Sequence, residues 1–327
     1  MSLDVVGIGN AIVDVLARTE DSFLEEHNLT KGSMALTSAD DAEKLYAAMG
    51  PAVEVSGGSA ANTIAGIAAL GGSAGFIGKV ADDQLGEVFS HDIRSLGVEY
   101  STAPSNTGTP TARSFILVTP DAERTMNTFL GACQELGPKD VDENLIARGK
   151  ILYLEGYLWD PEEAKKAFLK AMDFAHKAGN KVALTLSDSF CVDRFHAEFR
   201  ELVENQVDIL FANEAEIKAL YGEEDFDKAA QKAAEHLHLT ILTRSEKGAV
   251  ILADGQRIEV PAYPTTLEDA TGAGDLYAAG FLYGYTQGYE LEVCGKIAAI
   301  CASEIISHVG ARPEVDLAEL VKKELGL

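Results

Sequence analysis

Cysteine, tryptophan and basic residues are scarce in this chain of 327 residues. Its four cysteines form no Cys-x-x-Cys pair, which excludes a zinc ribbon and a thioredoxin-like motif. Free thiols of this kind are typical of a reducing compartment. Only 27 Lys and Arg face 52 Asp and Glu, and the net charge of -25 repels polyanions. We therefore expect neither nucleic acid nor an anionic membrane as a partner.

Long hydrophobic runs are also missing. No apolar stretch approaches the roughly 20 residues that are needed to span a bilayer. The opening Met-Ser-Leu-Asp runs directly into an apolar segment, without the basic and hydrophobic regions of a signal peptide. These observations predict a cytoplasmic protein. Because 46% of the residues are hydrophobic, the chain can bury a large core.

Short apolar strands alternate with amphipathic helices along most of the chain. Segment 3–9 has the pattern of a buried strand, and similar runs follow at 182–186, 207–212 and 240–243. Segment 162–178 repeats its apolar residues at helical spacing. This alternation predicts an α/β fold whose mostly parallel sheet is covered by helices on both faces.

Two strand-rich segments interrupt this alternation. Segments 112–118 and 124–130 resemble a hairpin whose turn is Thr-Pro-Asp-Ala-Glu. We predict that 12–36 and 105–131 form a small β lid over the sheet edge at which open α/β folds bind ligands. The alternative is an edge extension of the main sheet. The main α/β domain then consists of the remaining segments, 1–11, 37–104 and 132–327.

Several common motifs are incomplete. Gly78-Lys79 resembles the end of a phosphate-binding Walker A loop, but the first glycine and the hydroxyl residue of that motif are missing. Gly7-x-Gly9 lacks the third glycine of a dinucleotide fingerprint. The seven histidines have no metal-binding spacing, and Gly-x-Ser-x-Gly is absent. A dehydrogenase, a zinc enzyme and a serine hydrolase are therefore poorly supported.

The run Asp-Ala-Thr-Gly-Ala-Gly-Asp at 269–275 carries the strongest chemical signal. A helix is predicted to begin near Gly272, and the two glycines let a phosphate approach the backbone. The free amides of Ala273, Gly274 and Asp275 would then form an anion hole. Asp275 can orient a hydroxyl group and accept its proton late in phosphoryl transfer. The alternative role of Asp275 is to complement the helix dipole.

Two further elements have chemical potential. The Gly-rich stretch 56–63 combines close backbone approach with an amide side chain, which suits a polyhydroxylated ligand. Taken alone, this stretch is better explained by a tight turn with a helix cap. Asn213 and Glu216 stand where a strand gives way to a helix and could reach phosphate-bound Mg²⁺, directly or through water. A capping box explains the same pair.

In this order, Gly-Gly-x-x-x-Asn at 57–62 and the run at 269–275 resemble the signatures of the ribokinase-like (PfkB) carbohydrate kinase family. The resemblance covers nearly the whole chain. It implies an ATP-dependent phosphotransferase with an alcohol acceptor, a three-layer α/β/α sandwich with a small β lid, and ATP and Mg²⁺ as cofactors. Nucleoside or sugar and ATP would be its small-molecule partners, and the chain would be a monomer or a homodimer.

Within this family, the segments around Leu186-Ser187 and 207–216 most resemble the adenosine kinases. This resemblance implies a role in purine salvage, with transfer of the ATP γ-phosphoryl group to the 5′-hydroxyl of adenosine to give AMP. A sugar such as ribose or fructose, or another nucleoside, is the alternative acceptor. A non-catalytic nucleoside-binding regulator is a third hypothesis, but it predicts a damaged base or anion hole.

The resemblance also implies roles for individual residues. Phosphoryl transfer would involve Asp275, Gly272, Ala273, Gly274 and Arg124. The acceptor would be bound by Asn10, Asp14, Met34, Leu36, Gly58, Ser59, Asn62, Met126, Thr128 and Leu130. The nucleotide would be bound by Asn213, Thr243, Gly248 and Thr271, and Mg²⁺ by Glu216.

Some residues depart from the family pattern, and others match a cation site that many of its members share. Ala270 stands where threonine is usual, and Arg244-Ser245 replaces the more common Leu-Gly. Many family members bind a monovalent cation such as K⁺ beside the anion hole, and Asp269, Thr271 and Gly310 fall at comparable positions. The sequence leaves this ion undecided.

Overall fold

A computed structural model of the chain describes residues 2–121 and 123–327. Residue 122, in the predicted hairpin turn, and residue 1 lie outside the described residues. The strands are β1 Leu3–Ile8, β2 Ile12–Arg18, β3 Met34–Leu36, β4 Val53–Gly57, β5 Ala74–Ile77, β6 Glu99–Tyr100, β7 Ala112–Val118, β8 Arg124–Phe129, β9 Gly149–Glu155, β10 Lys181–Thr185, β11 Ile209–Asn213, β12 Leu239–Thr243, β13 Ala249–Ala253 and β14 Gln256–Val260.

The helices alternate with these strands. They are α1 Asp21–Glu26, α2 Ala39–Ala48, α3 Ser59–Ala69, α4 Gln84–Ser95, α5 Glu143–Arg148, α6 Glu162–Lys177, α7 Ser189–Arg194, α8 His196–Asn205, α9 Glu214–Tyr221, α10 Phe226–Ala234, α11 Ala273–Thr286, α12 Leu291–Ile305 and α13 Leu317–Leu325. Within the described ranges, no helix is both long and apolar enough to cross a membrane.

The larger sheet has the strand order β14-β13-β12-β11-β10-β9-β1-β5-β6. Strand β1 lies inside it, with Val5 paired in parallel to Ala74 of β5 and to Ile151 of β9. The pairings of β13 are antiparallel, while the ladder from β12 to β6 is parallel. The mostly parallel sheet that the sequence predicts is confirmed.

Helices cover both faces of this sheet. Neighbouring residues of β1 point to opposite sides, so Val5 packs with α3, α11 and α12 and Val6 with α5 and α6. Small residues let the helices approach closely: a methyl group at Gly66 of α3 would lie 2.7 Å from the Ala279 side chain of α11. The result is the expected three-layer α/β/α arrangement.

A second sheet has the strand order β3-β8-β7-β2-β4 and is separate from the larger one. The predicted hairpin is present, because β7 and β8 pair antiparallel. One predicted boundary differs: β4, which was assigned to the main domain, belongs to the smaller sheet, where Gly57 pairs with Ile12 of β2. The reason is that β2 leaves one edge free for an antiparallel partner, and β4 then leads directly into α3. Helix α2 packs on β8 of this sheet, and helix α4 packs on β4 and β2.

Candidate active site

One face of the smaller sheet gathers most of the predicted acceptor residues. Alternation along β8 places Arg124, Met126 and Thr128 on one face, while Thr125 and Asn127 are buried on the other. Strand β3 adds residues to the same face, because Met34 pairs with Met126 and Leu36 with Thr128. Both β3 side chains are open to solvent, Met34 being 54% and Leu36 61% exposed.

Strand β2 contributes Asp14 to this face. Asp14 pairs with Ser114 of β7, whose hydroxyl lies 2.8 Å from the Thr128 hydroxyl. A side chain at Gly57, on the neighbouring strand β4, would overlap the Asp14 carboxylate. Leu130 follows β8 at the start of a short 3₁₀ turn, Gly131–Glu135. The sheet therefore presents an apolar end with Met34 and Met126 and a carboxylate end with Asp14.

Arg124 joins this face to the loop before α11. Its guanidinium forms an ion pair with the buried Asp269 and donates to the Thr271 hydroxyl at 3.3 Å. Asp269 also accepts the Thr271 amide at 2.9 Å and the Gly310 amide at 3.1 Å. Thus Asp269, Thr271 and Gly310, the positions compared with a monovalent-cation site, converge, and here Arg124 supplies the positive charge.

The start of α11 forms the predicted turn, with one difference. Gly272 adopts the left-handed conformation with φ 78° and no side-chain cap is present. The Ala273 amide, predicted to be free, donates to the Ala270 carbonyl at 3.2 Å and closes a tight turn. Within the described ranges, the Gly274 and Asp275 amides have no partner. Two amides at the helix terminus, rather than three, are therefore free to bind an anion.

Asp275 is held rigidly by α3. Its carboxylate accepts the Ser59 hydroxyl at 2.7 Å and the Asn62 side-chain amide at 3.0 Å. Thr63 donates to the Asp275 carbonyl at 3.2 Å. Burial raises the pKa of Asp275, while the hydrogen bonds from Ser59 and Asn62 lower it. A carboxylate in this environment is a better proton acceptor than an exposed aspartate.

Asn62 has one unsatisfied atom in the site. Its amide nitrogen donates to Asp275, but its buried Oδ1 has no hydrogen-bond partner within the described ranges. Such an atom is costly unless a ligand donates to it. Gly58 precedes this helix at φ 100°, and a side chain there would overlap the Asn10 carbonyl. Gly58 thus permits the turn that brings Asn62 beside Asp275.

Glu155 is a site residue that the sequence analysis missed. At the end of β9, it accepts the Asn10 backbone amide at 2.9 Å, the Asn10 side-chain amide at 2.6 Å and the Ala60 amide at 2.7 Å. Burial raises the pKa of Glu155 to about 7. A glutamate that ends an otherwise apolar strand was the available signal. Glu155 fixes Asn10 against the first turn of α3.

Three of the predicted nucleotide residues, Asn213, Thr243 and Gly248, lie at the carboxyl ends of β11 and β12, while Thr271 lies in the loop before α11. Asn213 pairs in register with Thr243, and Gly248 follows at φ 83° where a side chain would lie 2.7 Å from the Ala262 amide. Arg244, which departs from the family pattern, donates to the Glu214 carboxylate at 2.8 Å. Its guanidinium carbon lies 3.8 Å from the centre of the Phe226 ring. These contacts hold the segment next to α9.

Glu216 forms a capping box with Asn213. Its two carboxylate oxygens accept the Asn213 backbone amide at 2.9 Å and the side-chain amide at 2.6 Å, while its own amide donates to Asn213 Oδ1 at 2.9 Å. Burial raises the pKa of Glu216 to about 7. Within the described ranges, no group of three His, Cys, Asp or Glu is placed to hold a metal. The geometry fits an ion held mainly by nucleotide phosphates and water better than one held directly by Glu216.

Tyr157, which the sequence analysis also missed, is tied to the segment that follows β10. Its hydroxyl donates to the Ser187 carbonyl at 3.2 Å, and its amide donates to the Ser187 hydroxyl at 3.3 Å. Ser187 holds an unusual φ of 74°. Burial raises the pKa of Tyr157, and so do the charges of Asp188 and Asp275. Tyr157 is therefore anchored on the segment that follows β10, a contact that no local sequence signal indicates.

This geometry combines a base, an anion-binding helix terminus and a cation around the start of α11, which are the groups that phosphoryl transfer requires. The chain belongs to the pfkB family of carbohydrate kinases, because the model of that family matches residues 25–317. It is accordingly an ATP-dependent phosphotransferase that acts on an alcohol group of a sugar or nucleoside.

Solved structures resemble the chain over its full length. An adenosine kinase from Sinorhizobium meliloti is 54% identical, with a TM-score of 0.91 over 99% of this chain and 100% of the other. A probable sugar kinase from Rhizobium etli CFN 42 is 51% identical, with a TM-score of 0.91 over 100% and 99%. These similarities place the chain close to the adenosine kinases within the family.

Curated relatives are more distant. A 5-dehydro-2-deoxygluconokinase from Geobacillus thermodenitrificans is 28% identical over 80% of this chain and 82% of that protein. Fructokinase-1 from Oryza sativa subsp. japonica is 27% identical over 83% and 89%. The family comparisons thus include both nucleoside and sugar kinases.

Proposed function

We propose that this protein is an adenosine kinase that transfers the ATP γ-phosphoryl group to the 5′-hydroxyl of adenosine. The observation that carries the proposal is the divided face of the smaller sheet. Met34 and Met126 supply apolar contact area for a purine base, and Asp14 supplies an ionisable acceptor for two vicinal ribose hydroxyls. The similarity to the Sinorhizobium meliloti adenosine kinase supports this acceptor.

The ribose would lie on the Gly-rich turn. Among the described residues no donor reaches Asn62 Oδ1, and a ribose hydroxyl would satisfy it. Gly58 allows the backbone to approach the sugar, while Asn10 is held in place by Glu155. Leu36, Thr128 and Leu130 would border the purine at the open edge of the smaller sheet. Ser59 would hold Asp275, the catalytic base, through its hydroxyl group.

Asp275 would orient the 5′-hydroxyl and accept its proton as the bond to phosphorus forms. The free amides of Gly274 and Asp275 would bind the transferring phosphoryl oxygens, with Gly272 and the turn at Ala273 shaping the hole. Arg124 would exchange its contact with Asp269 for one with the phosphoryl group, which offsets the negative field of the chain. The bond between the γ-phosphorus and the oxygen that bridges to the β-phosphate breaks, and ADP leaves.

The nucleotide would bind between Asn213, Thr243, Gly248 and Thr271. Mg²⁺ supplies charge neutralisation to the phosphates when it is bound, and Glu216 would orient one of the surrounding waters. We also propose that the smaller sheet acts as a lid. The protein would work in the cytoplasm as a monomer or homodimer.

A sugar kinase is the second candidate. The observation that favours it is the similarity to fructokinase-1 and to 5-dehydro-2-deoxygluconokinase. The exposed apolar residues Met34 and Leu36 would then form an apolar outer surface of the lid and would not contact a purine base.

A panel of acceptors at fixed MgATP tests the proposal. We would measure ADP release with adenosine, other nucleosides, ribose, fructose and 5-dehydro-2-deoxygluconate. Adenosine should give the highest kcat/KM, because only a nucleoside uses both ends of the face. A sugar that exceeds adenosine would replace the first candidate by the second. Met126→Ser should weaken adenosine binding but leave a poor sugar substrate unaffected.

A further inference from the structure

Arg312 is a partly buried cation behind the acceptor site, in the loop between α12 and α13. Its Nε and Nη2 donate to the Ser56 carbonyl at 3.1 Å and the Ser56 hydroxyl at 3.0 Å. Its Nη1 donates to the Ala61 carbonyl at 3.1 Å. One guanidinium therefore bridges the end of β4 and the first turn of α3, which the Gly-rich turn connects.

This turn lies between two carboxylates of the proposed mechanism. Asp14 crowds the turn at Gly57. Asp275 accepts hydrogen bonds from Ser59 and Asn62 on its other side. A displacement of the turn would consequently move both carboxylates relative to each other.

Ser56 is the anchor of the arrangement. Besides its two bonds to Arg312, it donates its backbone amide to Asp92 of α4 at 3.1 Å. The charges of Asp14, Asp275 and Asp92 all act on Arg312. Asp92 itself lies beside the exposed His91.

The positive charge of Arg312 opposes the effect of burial on these acids. Burial raises the pKa of Asp14 to about 7 and also raises that of Asp275, and Arg312 lowers both. Burial lowers the pKa of Arg312 to about 10, so the guanidinium stays charged at neutral pH. Glu155 and Tyr153 of β9 also face Asp275.

We propose that Arg312 is a positioning residue for phosphoryl transfer: its guanidinium fixes the turn at 57–59 and supplies the positive charge that faces Asp14 and Asp275. It acts through these carboxylates and does not touch the acceptor. This inference rests on the proposed function, since it gives Asp14 and Asp275 the roles described above.

The test compares Arg312→Met and Arg312→Lys with wild type in pH profiles of kcat and KM. Arg200→Met is the control, because Arg200 of α8 pairs with Glu204 and stacks on Tyr221, outside the acceptor face. In Arg312→Met the acidic limb of kcat/KM for the acceptor should move up by about one pH unit, which is about a tenfold loss on that limb. Activity should recover towards pH 9, and the KM for ATP should stay unchanged.

Arg312→Lys separates charge from geometry. A lysine keeps the charge but cannot span three oxygen acceptors, so its pH profile should match wild type while the acceptor KM rises. A wild-type profile in Arg312→Met, with or without a pH-independent loss, would overturn the inference. If Arg312→Met does not fold, an unchanged acceptor KM in Arg312→Lys would overturn it.

A readout without turnover keeps the inference and the proposed function distinguishable. Carboxyl-¹³C aspartate labelling, with Asp14→Asn and Asp275→Asn for assignment, reports both pKa values by NMR. Both should be higher in Arg312→Met than in wild type, even if wild type accepts a sugar or no acceptor at all. Equal values would overturn the inference, whereas absence of wild-type turnover would contradict only the proposed function.

Discussion

Replacing Asp275 by asparagine separates its chemical role from its structural one. The side chain accepts hydrogen bonds from Ser59 at 2.7 Å and from Asn62 at 3.0 Å, so an isosteric amide keeps the shape of the site. An amide cannot accept the proton of the attacking hydroxyl. Loss of a positioned base typically slows a reaction by about 10²–10⁴-fold. We therefore expect a barrier increase of about 3–5 kcal/mol.

The stability of Asp275→Asn should not fall together with its turnover. Burial raises the pKa of Asp275 above its usual value, so the ionised carboxylate destabilises the folded state at neutral pH. Asparagine removes this unfavourable charge, although its NH₂ group meets one donor from α3. The thermal midpoint at pH 8 should consequently stay near that of wild type or exceed it, and ADP should still bind.

The assay is a coupled measurement of ADP release, with ADP affinity from calorimetry and the midpoint from thermal unfolding. Asp173→Asn is a matched control, because this aspartate is exposed on α6, where it pairs with Lys177. Its turnover should be unchanged. Turnover of Asp275→Asn within about threefold of wild type would remove Asp275 from the mechanism. Loss of folding and ADP binding would instead show that its role is structural.

Four further predictions concern three glycines and a buried acid. Gly274→Ala has open space around its added methyl group, so its thermal midpoint should be kept while the methyl blocks phosphate and turnover falls about tenfold or more. Gly280→Ala places a methyl group 2.7 Å from the Ala298 backbone and should cost about 1–3 kcal/mol of unfolding free energy; the reverse ranking in thermal unfolding would contradict the packing. The thermal midpoint of Glu216→Gln should rise relative to that of wild type as the pH rises from 5 to 8. Burial raises the pKa of Glu216 from 4.5 to about 7, so its ionisation weakens the folded state of wild type across this interval. A difference in midpoint that does not change with pH would refute this prediction. Gly57→Ala should raise the acceptor KM about tenfold, because the added methyl group displaces the Asp14 carboxylate. Gly50→Ala has open space around its methyl group and should match wild type.

Local patterns predicted much of the fold. The strand at the start of the chain, the hairpin and the helix over 162–177 follow from apolar spacing that tertiary packing reinforces. Helix α3 begins directly at Ser59, within the Gly-rich stretch 56–63, because Gly58 starts it at the turn. Strand β4 lies in segment 37–104, which is predicted to belong to the main domain, but it pairs with β2 in the smaller sheet; this pairing has no local signal because β2 is distant in sequence.

The candidate site also combines residues that a local motif predicts with contacts that no local pattern indicates. Asp275, Gly272 and Gly274 stand in one recognisable run, so sequence reasoning could predict their common turn. The Ala273 amide is paired because the turn closes on Ala270, a bond that depends on backbone angles alone. Arg312 reaches Ser56 across 256 residues of chain, and such a contact leaves no local signature.

A crystal structure with adenosine and a non-hydrolysable ATP analogue tests the central claim most directly. The account predicts the base against Met34 and Met126, the ribose 2′- and 3′-hydroxyls on Asp14, and the 5′-oxygen within hydrogen-bond reach, about 3 Å, of Asp275. The analogue's terminal phosphate should contact the amides of Gly274 and Asp275. Adenosine bound with its 5′-oxygen away from Asp275, or with its base at Asn213, would contradict it.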